Sequence, residues 1–105
     1  MSKAVKPDAE RPYFDAPAGI PAGSDHQIPH SHRFRHNDLD VIVHLTGYEY
    51  ESLGQTLWAF GIELVRDRQI VQPVRVYRER HYGQFEEALA EGIEQGRQQA
   101  ETFDR

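Results

Sequence analysis

The chain contains no cysteine, and this absence removes several classes of function. A protein without thiols has no disulfides, no thiolate metal ligands and no cysteine nucleophile. It also gives no sign of an oxidising compartment, so we expect a cytoplasmic location. No apolar run approaches the ~20 residues that span a bilayer, and residues 1–8 lack the apolar segment of a signal peptide. The sequence therefore predicts a soluble protein with no membrane partner.

An excess of positive charge is also lacking, since the 105 residues carry a formal net charge of −5. Such a chain has no general electrostatic attraction to nucleic acid. The motifs Gly-x-Ser-x-Gly, Gly-x-x-x-x-Gly-Lys and His-Glu-x-x-His are absent as well, and these mark common hydrolase, phosphate-binding and metalloprotease sites. We therefore expect a protein that is not an enzyme and needs no cofactor.

The first third of the chain has little apolar periodicity. Residues 1–36 hold five of the six prolines and few large hydrophobic side chains. A segment of this kind cannot bury enough apolar surface to offset the entropy lost on ordering. The composition predicts a flexible arm rich in Pro, Gly and His over residues 1–36, followed by a small α+β domain over residues 37–105.

Three stretches of the domain alternate in the manner of β-strands. The most apolar is residues 56–65, where large side chains fall on one side of an extended chain: Trp58, Phe60, Ile62 and Leu64. A helix over residues 52–65 is the alternative, although Gly54 and Gly61 disfavour it. Residues 39–45 form the strand before, with an extension to residue 50 left open. Residues 70–77 form the strand after, which Pro73 restricts to an edge or a bulge.

Residues 84–103 have the pattern of an amphipathic helix, with apolar or small side chains every three or four positions. Gly92 and Gly96 lie on that face and would let the helix approach a sheet closely. The predicted fold is α+β: a three-stranded antiparallel meander followed by one C-terminal amphipathic helix packed on the sheet (β-β-β-α), with a flexible N-terminal arm. We expect Trp58, Phe60 and Phe85 to be buried together.

A histidine tract is the most unusual feature of the predicted arm. Four imidazoles fall within eleven residues: His26, His30, His32 and His36. Imidazole is a good ligand for zinc, copper and nickel, so this tract is a candidate metal-binding arm. The alternative is a set of solvated histidines, which titrate near pH 6.5 when nothing perturbs them.

Arginines and aromatic residues are interspersed from the third predicted strand onward, at Arg75, Tyr77, Arg78, Arg80 and Tyr82. Single-stranded nucleic acid is bound by such sets through charge and stacking. The alternative is an exposed strand edge whose arginines pair with nearby glutamates.

Tyrosines are enriched where protein interfaces bury their centres, and Tyr48 and Tyr50 join Tyr77 and Tyr82 as candidates. Together with an exposed third strand and an acidic helix, they favour a small non-enzymatic protein-interaction module that binds itself, as a homodimer, or another protein. The alternative is a nucleic-acid-binding module that uses the arginine and tyrosine strip, and the third hypothesis is the metal-binding arm.

Overall fold

A computed structural model describes residues 20, 21, 23–77 and 81–103 of the chain. Within them the elements follow in the order β1 (His26–His36), β2 (Leu39–Tyr50), a single 3-10 turn (Glu51–Leu53), β3 (Gln55–Arg66), β4 (Gln69–Val76) and α1 (Phe85–Phe103). The four strands form one antiparallel sheet in the order β1-β2-β3-β4. The α+β class, with an antiparallel sheet followed by one C-terminal helix, is confirmed.

The predicted count of three strands is wrong, because β1 adds a fourth within the segment expected to be a flexible arm. Its eleven residues pair without interruption against β2, from His26 opposite Glu49 to His36 opposite Leu39. Asn37 and Asp38, with φ of 51° and 69°, form the turn that joins the two strands. Positive φ at both central residues is typical of a type I′ hairpin turn. Of the rest of the predicted arm, residues 1–19 and 22 lie outside the described residues.

The first face of the sheet packs against α1. Its buried side chains come mainly from the central strands and form one cluster: Leu39, Val41, Val43, Leu45, Phe60, Ile62, Leu64, Ala88 and Ala100. Trp58, Phe60 and Phe85 meet in or against this cluster, as their alternation and helical spacing predicted. Trp58 and Phe85 are in edge-to-face contact, with ring centroids 5.0 Å apart. Within the described part of the chain, no helix is both long enough and apolar enough to cross a bilayer.

Two glycines of α1 set how closely the helix approaches the sheet. A Cβ atom added at Gly92 would lie 2.5 Å from Val43 Cγ1, and one added at Gly96 would lie 2.6 Å from Val41 Cγ1. Both distances are well inside van der Waals contact. The close packing expected from the Gly92 and Gly96 spacing is therefore present, and it lets Val41 and Val43 reach the backbone of the helix.

The second face of the sheet, on the side away from α1, also carries buried side chains. One cluster joins Ile20 to residues of the two central strands: Tyr48, Tyr50, Leu57 and Ala59. The Tyr50 hydroxyl donates a hydrogen bond to the backbone carbonyl oxygen of Pro21. The chain just before β1 therefore lies against this second face.

We expect Tyr50 to make the stability of the protein depend on alkaline pH. Burial raises the pKa of the Tyr50 phenol above its ordinary value of 10.0. The folded state therefore retains this proton more strongly than the unfolded state, so the free energy of unfolding should fall as pH rises above about 10. In Tyr50→Phe this part of the decline should disappear, and the lost hydrogen bond should cost about 1 kcal/mol at pH 7. Urea denaturation of both proteins at pH 7, 9, 10 and 11 measures the difference, and parallel curves over this range would contradict it.

Candidate functional site

The histidine tract lies on β1 with all four imidazoles on the first face of the sheet. His26 and His30 are four residues apart, about 13 Å along an extended strand, so they cannot hold the same ion. His30 is in edge-to-face contact with Phe85, with ring centroids 4.9 Å apart. His36 Nε2 lies 3.3 Å from Glu101 Oε2 on α1. The histidines of the tract thus contact different partners along the strand. One ion cannot be bound by all four imidazoles of a single chain in this geometry.

One histidine of the tract converges with two carboxylates where β1 and β2 meet at one end of the sheet. His26 is opposite Glu49 in the ladder, and Glu51 follows directly after β2. One ligand atom from each of His26, Glu49 and Glu51 lies within 4.8 Å of the others. The distance from His26 Nε2 to Glu51 Oε2 is 2.9 Å. We call these three residues the His26 corner.

Backbone contacts hold the His26 corner in place. The Glu51 N–H donates to Asp25 Oδ2 at 2.7 Å, and the Asp25 N–H donates to the Glu49 carbonyl oxygen at 2.8 Å. The sequence pattern does not single out Glu49 and Glu51, because they are more than twenty residues from His26 along the chain. Only the register of β1 against β2 brings them together, and β1 was not predicted.

A second imidazole–carboxylate pair lies on the second face of the sheet. His44 Nε2 is 2.9 Å from Glu63 Oε1, and the two side chains are only 12% and 6% exposed. Thr46, two residues beyond His44 on the same face, has a buried Oγ1 without a hydrogen-bond partner among the described residues. An imidazole beside a carboxylate is the core of many acid–base sites. Here both groups are enclosed within the protein, which favours a structural role.

The predicted tyrosine set lies mostly inside the protein. Tyr48 and Tyr50 are 1% and 6% exposed. The rings of Tyr77 and Tyr82 lie against Phe60, with centroids 4.9 and 6.1 Å away. A platform on which nucleic-acid bases stack needs aromatic rings at the surface. The geometry of these four rings therefore supports packing rather than contact with a partner.

The arginines of the predicted strip are placed differently from its tyrosines. Arg75 is exposed on β4, while Arg78 and Arg80 lie outside the described residues. The acidic side of α1 is partly neutralised within the helix, since Arg97 contacts Glu94 at 2.5 Å and Glu101 at 2.7 Å. The hydrogen bond from Arg97 holds the pKa of Glu94 below its usual value. The predicted interaction role of Arg75, Arg78 and Arg80 stays a prediction.

The sheet has two outer edges among the described residues, and they differ in regularity. The pairing of β3 with β4 shifts register twice, between Ile62 and Leu64 and between Leu64 and Val65. Pro73, which has no N–H to donate, lies within β4. By contrast, β1 pairs with β2 through eleven residues in constant register. Each edge strand thus contains one proline, since Pro29 lies within β1. Bulges protect a sheet edge from further strand pairing, and the β1 ladder has none, so β1 is the more open edge.

No protein-family model matches the chain, and neither the curated proteins nor the solved structures contain a significant match to it.

Proposed function

We propose that this protein is a small non-enzymatic interaction module that self-associates through the outer edge of β1. The observation that carries the proposal is the eleven-residue strand His26–His36, regularly paired on one side only among the described residues. A strand of this length presents a row of backbone groups with which another strand can pair. Two copies would then form one continuous sheet, with each helix on the same side.

The direction of the free backbone groups follows from hydrogen bonds at the far side of the sheet. Trp58 and Tyr82 exchange two backbone hydrogen bonds, of 2.8 and 2.9 Å, so Trp58 directs its backbone away from β2. Backbone direction alternates along each strand of an antiparallel ladder. The registers of β3 with β2 and of β2 with β1 are constant, so the same alternation holds across both ladders. The backbone N–H and C=O groups of the odd-numbered residues of β1 therefore point away from β2. Ser31 lies at the middle of this outward row.

A symmetric antiparallel pair centred on Ser31 has compatible side chains opposite each other. Ile28, which is 41% exposed, would lie opposite Phe34 of the second copy. Arg33 would lie opposite Pro29, and Arg35 opposite Gln27, so no two arginines face each other. Apolar cross-strand pairs stabilise a sheet, whereas like charges directly opposite destabilise it. In each chain Pro29 has no backbone N–H to donate outward, whereas Ser31 and Arg33 keep their outward-facing N–H groups.

The test is the molar mass of the full chain by size-exclusion chromatography with light scattering. The wild type should elute as a dimer at about 100 µM. Ser31→Pro should elute as a monomer with an unchanged circular dichroism spectrum, because the Ser31 N–H faces outward and is not used in the β1–β2 ladder.

Ile70→Lys is the matched control on the other edge strand, since Ile70 is 56% exposed on β4. This variant should remain a dimer. A monomeric wild type, or a dimer that Ile70→Lys dissociates and Ser31→Pro leaves intact, would refute pairing through β1.

A further inference from the structure

We infer that the His26 corner binds a divalent first-row transition-metal ion, with zinc as the expected occupant. The inference does not depend on self-association through β1, because all three ligands belong to one chain. It also differs from the predicted four-histidine arm, since it takes one ligand, His26, from the tract and two, Glu49 and Glu51, from β2 and the turn after it. The ion would lie at an exposed end of the sheet.

The three donor atoms already lie close to the spacing that an ion requires. Tetrahedral zinc with bonds of about 2.0–2.2 Å holds neighbouring ligand atoms about 3.4 Å apart. The donor atoms of the corner are all within 4.8 Å of one another, and those of His26 and Glu51 are 2.9 Å apart. The side chains of His26 and Glu51 are 61% and 64% exposed. Small rotations of unhindered side chains are therefore enough to bring all three donors onto one ion.

The backbone beneath the ligands is fixed before any ion arrives. His26 and Glu49 are opposite each other in a regular ladder, so neither can move along its strand without breaking the pairing. Glu51 is held through its N–H by the Asp25 carboxylate at 2.7 Å. Such supporting contacts orient metal ligands and reduce the ordering required on binding. The corner thus combines a rigid backbone with adjustable side chains.

The charge of the corner also favours a cation. Glu49 and Glu51 have no lysine or arginine partner within the described ranges, and the Asp25 carboxylate adds a third negative charge nearby. Among the residues described at the corner, only the His26 imidazole can offset the negative charge of these carboxylates. A divalent ion would relieve the repulsion among these carboxylates, which favours the binding of a cation at the corner.

The donor types select the class of metal. Imidazole is a poor ligand for magnesium and calcium, which prefer all-oxygen sites, whereas one imidazole with two carboxylates suits zinc and its neighbours in the first transition row. Three protein ligands leave at least one coordination position open for water. The corner is therefore expected to bind zinc in preference to calcium.

The test is isothermal titration calorimetry of the full, untagged chain with zinc chloride at pH 7. We expect one zinc per chain at micromolar affinity, and no detectable heat with calcium chloride under the same conditions. His26→Ala and Glu49→Gln should each weaken zinc binding at least tenfold. Because His26 is exposed and Glu49 only half-buried, and Gln has nearly the shape of Glu, neither variant should change the circular dichroism spectrum.

Matched controls remove the same groups elsewhere on the surface. His81→Ala and Glu86→Gln each change an exposed side chain outside the corner, and both should bind zinc as the wild type does. His32→Ala tests the tract itself and should also leave binding unchanged. Absence of zinc binding up to about 1 mM, or loss of binding in His32→Ala with retention in Glu49→Gln, would overturn the assignment.

Discussion

Replacing Gly92 by alanine should lower the free energy of unfolding by about 2 kcal/mol. The new Cβ would lie 2.5 Å from Val43 Cγ1 and 3.5 Å from the Phe60 ring, in the middle of the contact between α1 and the sheet. Overpacking a buried contact costs about 1–3 kcal/mol, and overlap with a stiff β-branched side chain lies at the upper end. Alanine returns about 1 kcal/mol through its higher helix propensity. Chemical denaturation followed by circular dichroism measures the net loss.

Two further variants separate this overlap from a general effect of alanine. Gly83→Ala is the control, because a Cβ atom added there meets nothing within 4 Å; its free energy of unfolding should stay within about 0.5 kcal/mol of the wild type. In a Val43→Ala background the clashing methyl group is gone, so Gly92→Ala should become neutral or stabilising. Equal destabilisation by Gly92→Ala in both backgrounds would show that the overlap is not the cause.

His44→Ala should destabilise the protein more strongly, by about 3 kcal/mol. It removes the imidazole 2.9 Å from the Glu63 carboxylate, whose side chain is only 6% exposed. Removing one partner of a buried pair takes from the other group a contact that water replaces poorly, a change that costs about 3–5 kcal/mol in well-enclosed pairs. Because the His44 side chain is 12% exposed, we expect a loss of stability at the lower end of this range. Urea denaturation at pH 7 provides the measurement.

Substitutions at Glu63 distinguish a lost partner from a lost volume. Glu63→Gln keeps a hydrogen-bonding oxygen beside His44 and should cost less than His44→Ala. The double variant His44→Leu with Glu63→Leu replaces both polar groups by apolar ones of comparable size and should recover most of the stability. If the double variant is less stable than His44→Ala, a cavity or a packing defect, and not the lost contact between His44 and Glu63, explains the loss.

The sequence predicted the parts of the fold that bury large apolar side chains. Trp58, Phe60, Ile62 and Leu64 alternate clearly because β3 is central and covered by α1. The four-residue spacing of Gly92 and Gly96 predicted the close approach of the helix. These patterns are visible because burial demands apolar or small side chains at regular positions, whatever the remaining residues are.

The same reasoning missed β1 because an edge strand places weak demands on its sequence. Ile28 and Phe34 are its only large aliphatic or phenyl side chains, and histidine and arginine occupy most of the other positions. The strand is held by backbone pairing with β2, which any residue except proline supports equally. Without β1 there was no register to place His26 beside Glu49, so the sequence identified the histidine and not its carboxylate partners.

The tyrosines show a different difficulty, in which a strong compositional signal fits two different settings. Tyr48 lies opposite Leu57 on the second face of the sheet and is 1% exposed. Tyrosine is enriched both at interfaces and in partly polar interiors, because its ring is apolar and its hydroxyl needs a partner. Composition alone does not separate these two settings. The contact of the second face with Ile20, far away in the chain, decided between them.

Because β1 lies at the edge of the sheet, it should unfold locally more easily than the central strands β2 and β3. Strand β1 can detach while the core between α1 and the strands β2 and β3 stays closed, because its ladder is formed with β2 only and most of its side chains are exposed. The other edge strand, β4, likewise pairs with β3 only among the described residues. Cooperative units of low local stability open without global unfolding. The amide hydrogens of β1 should therefore exchange with solvent well before those of β2 and β3, and a detached β1 is free to pair with another chain in its native register.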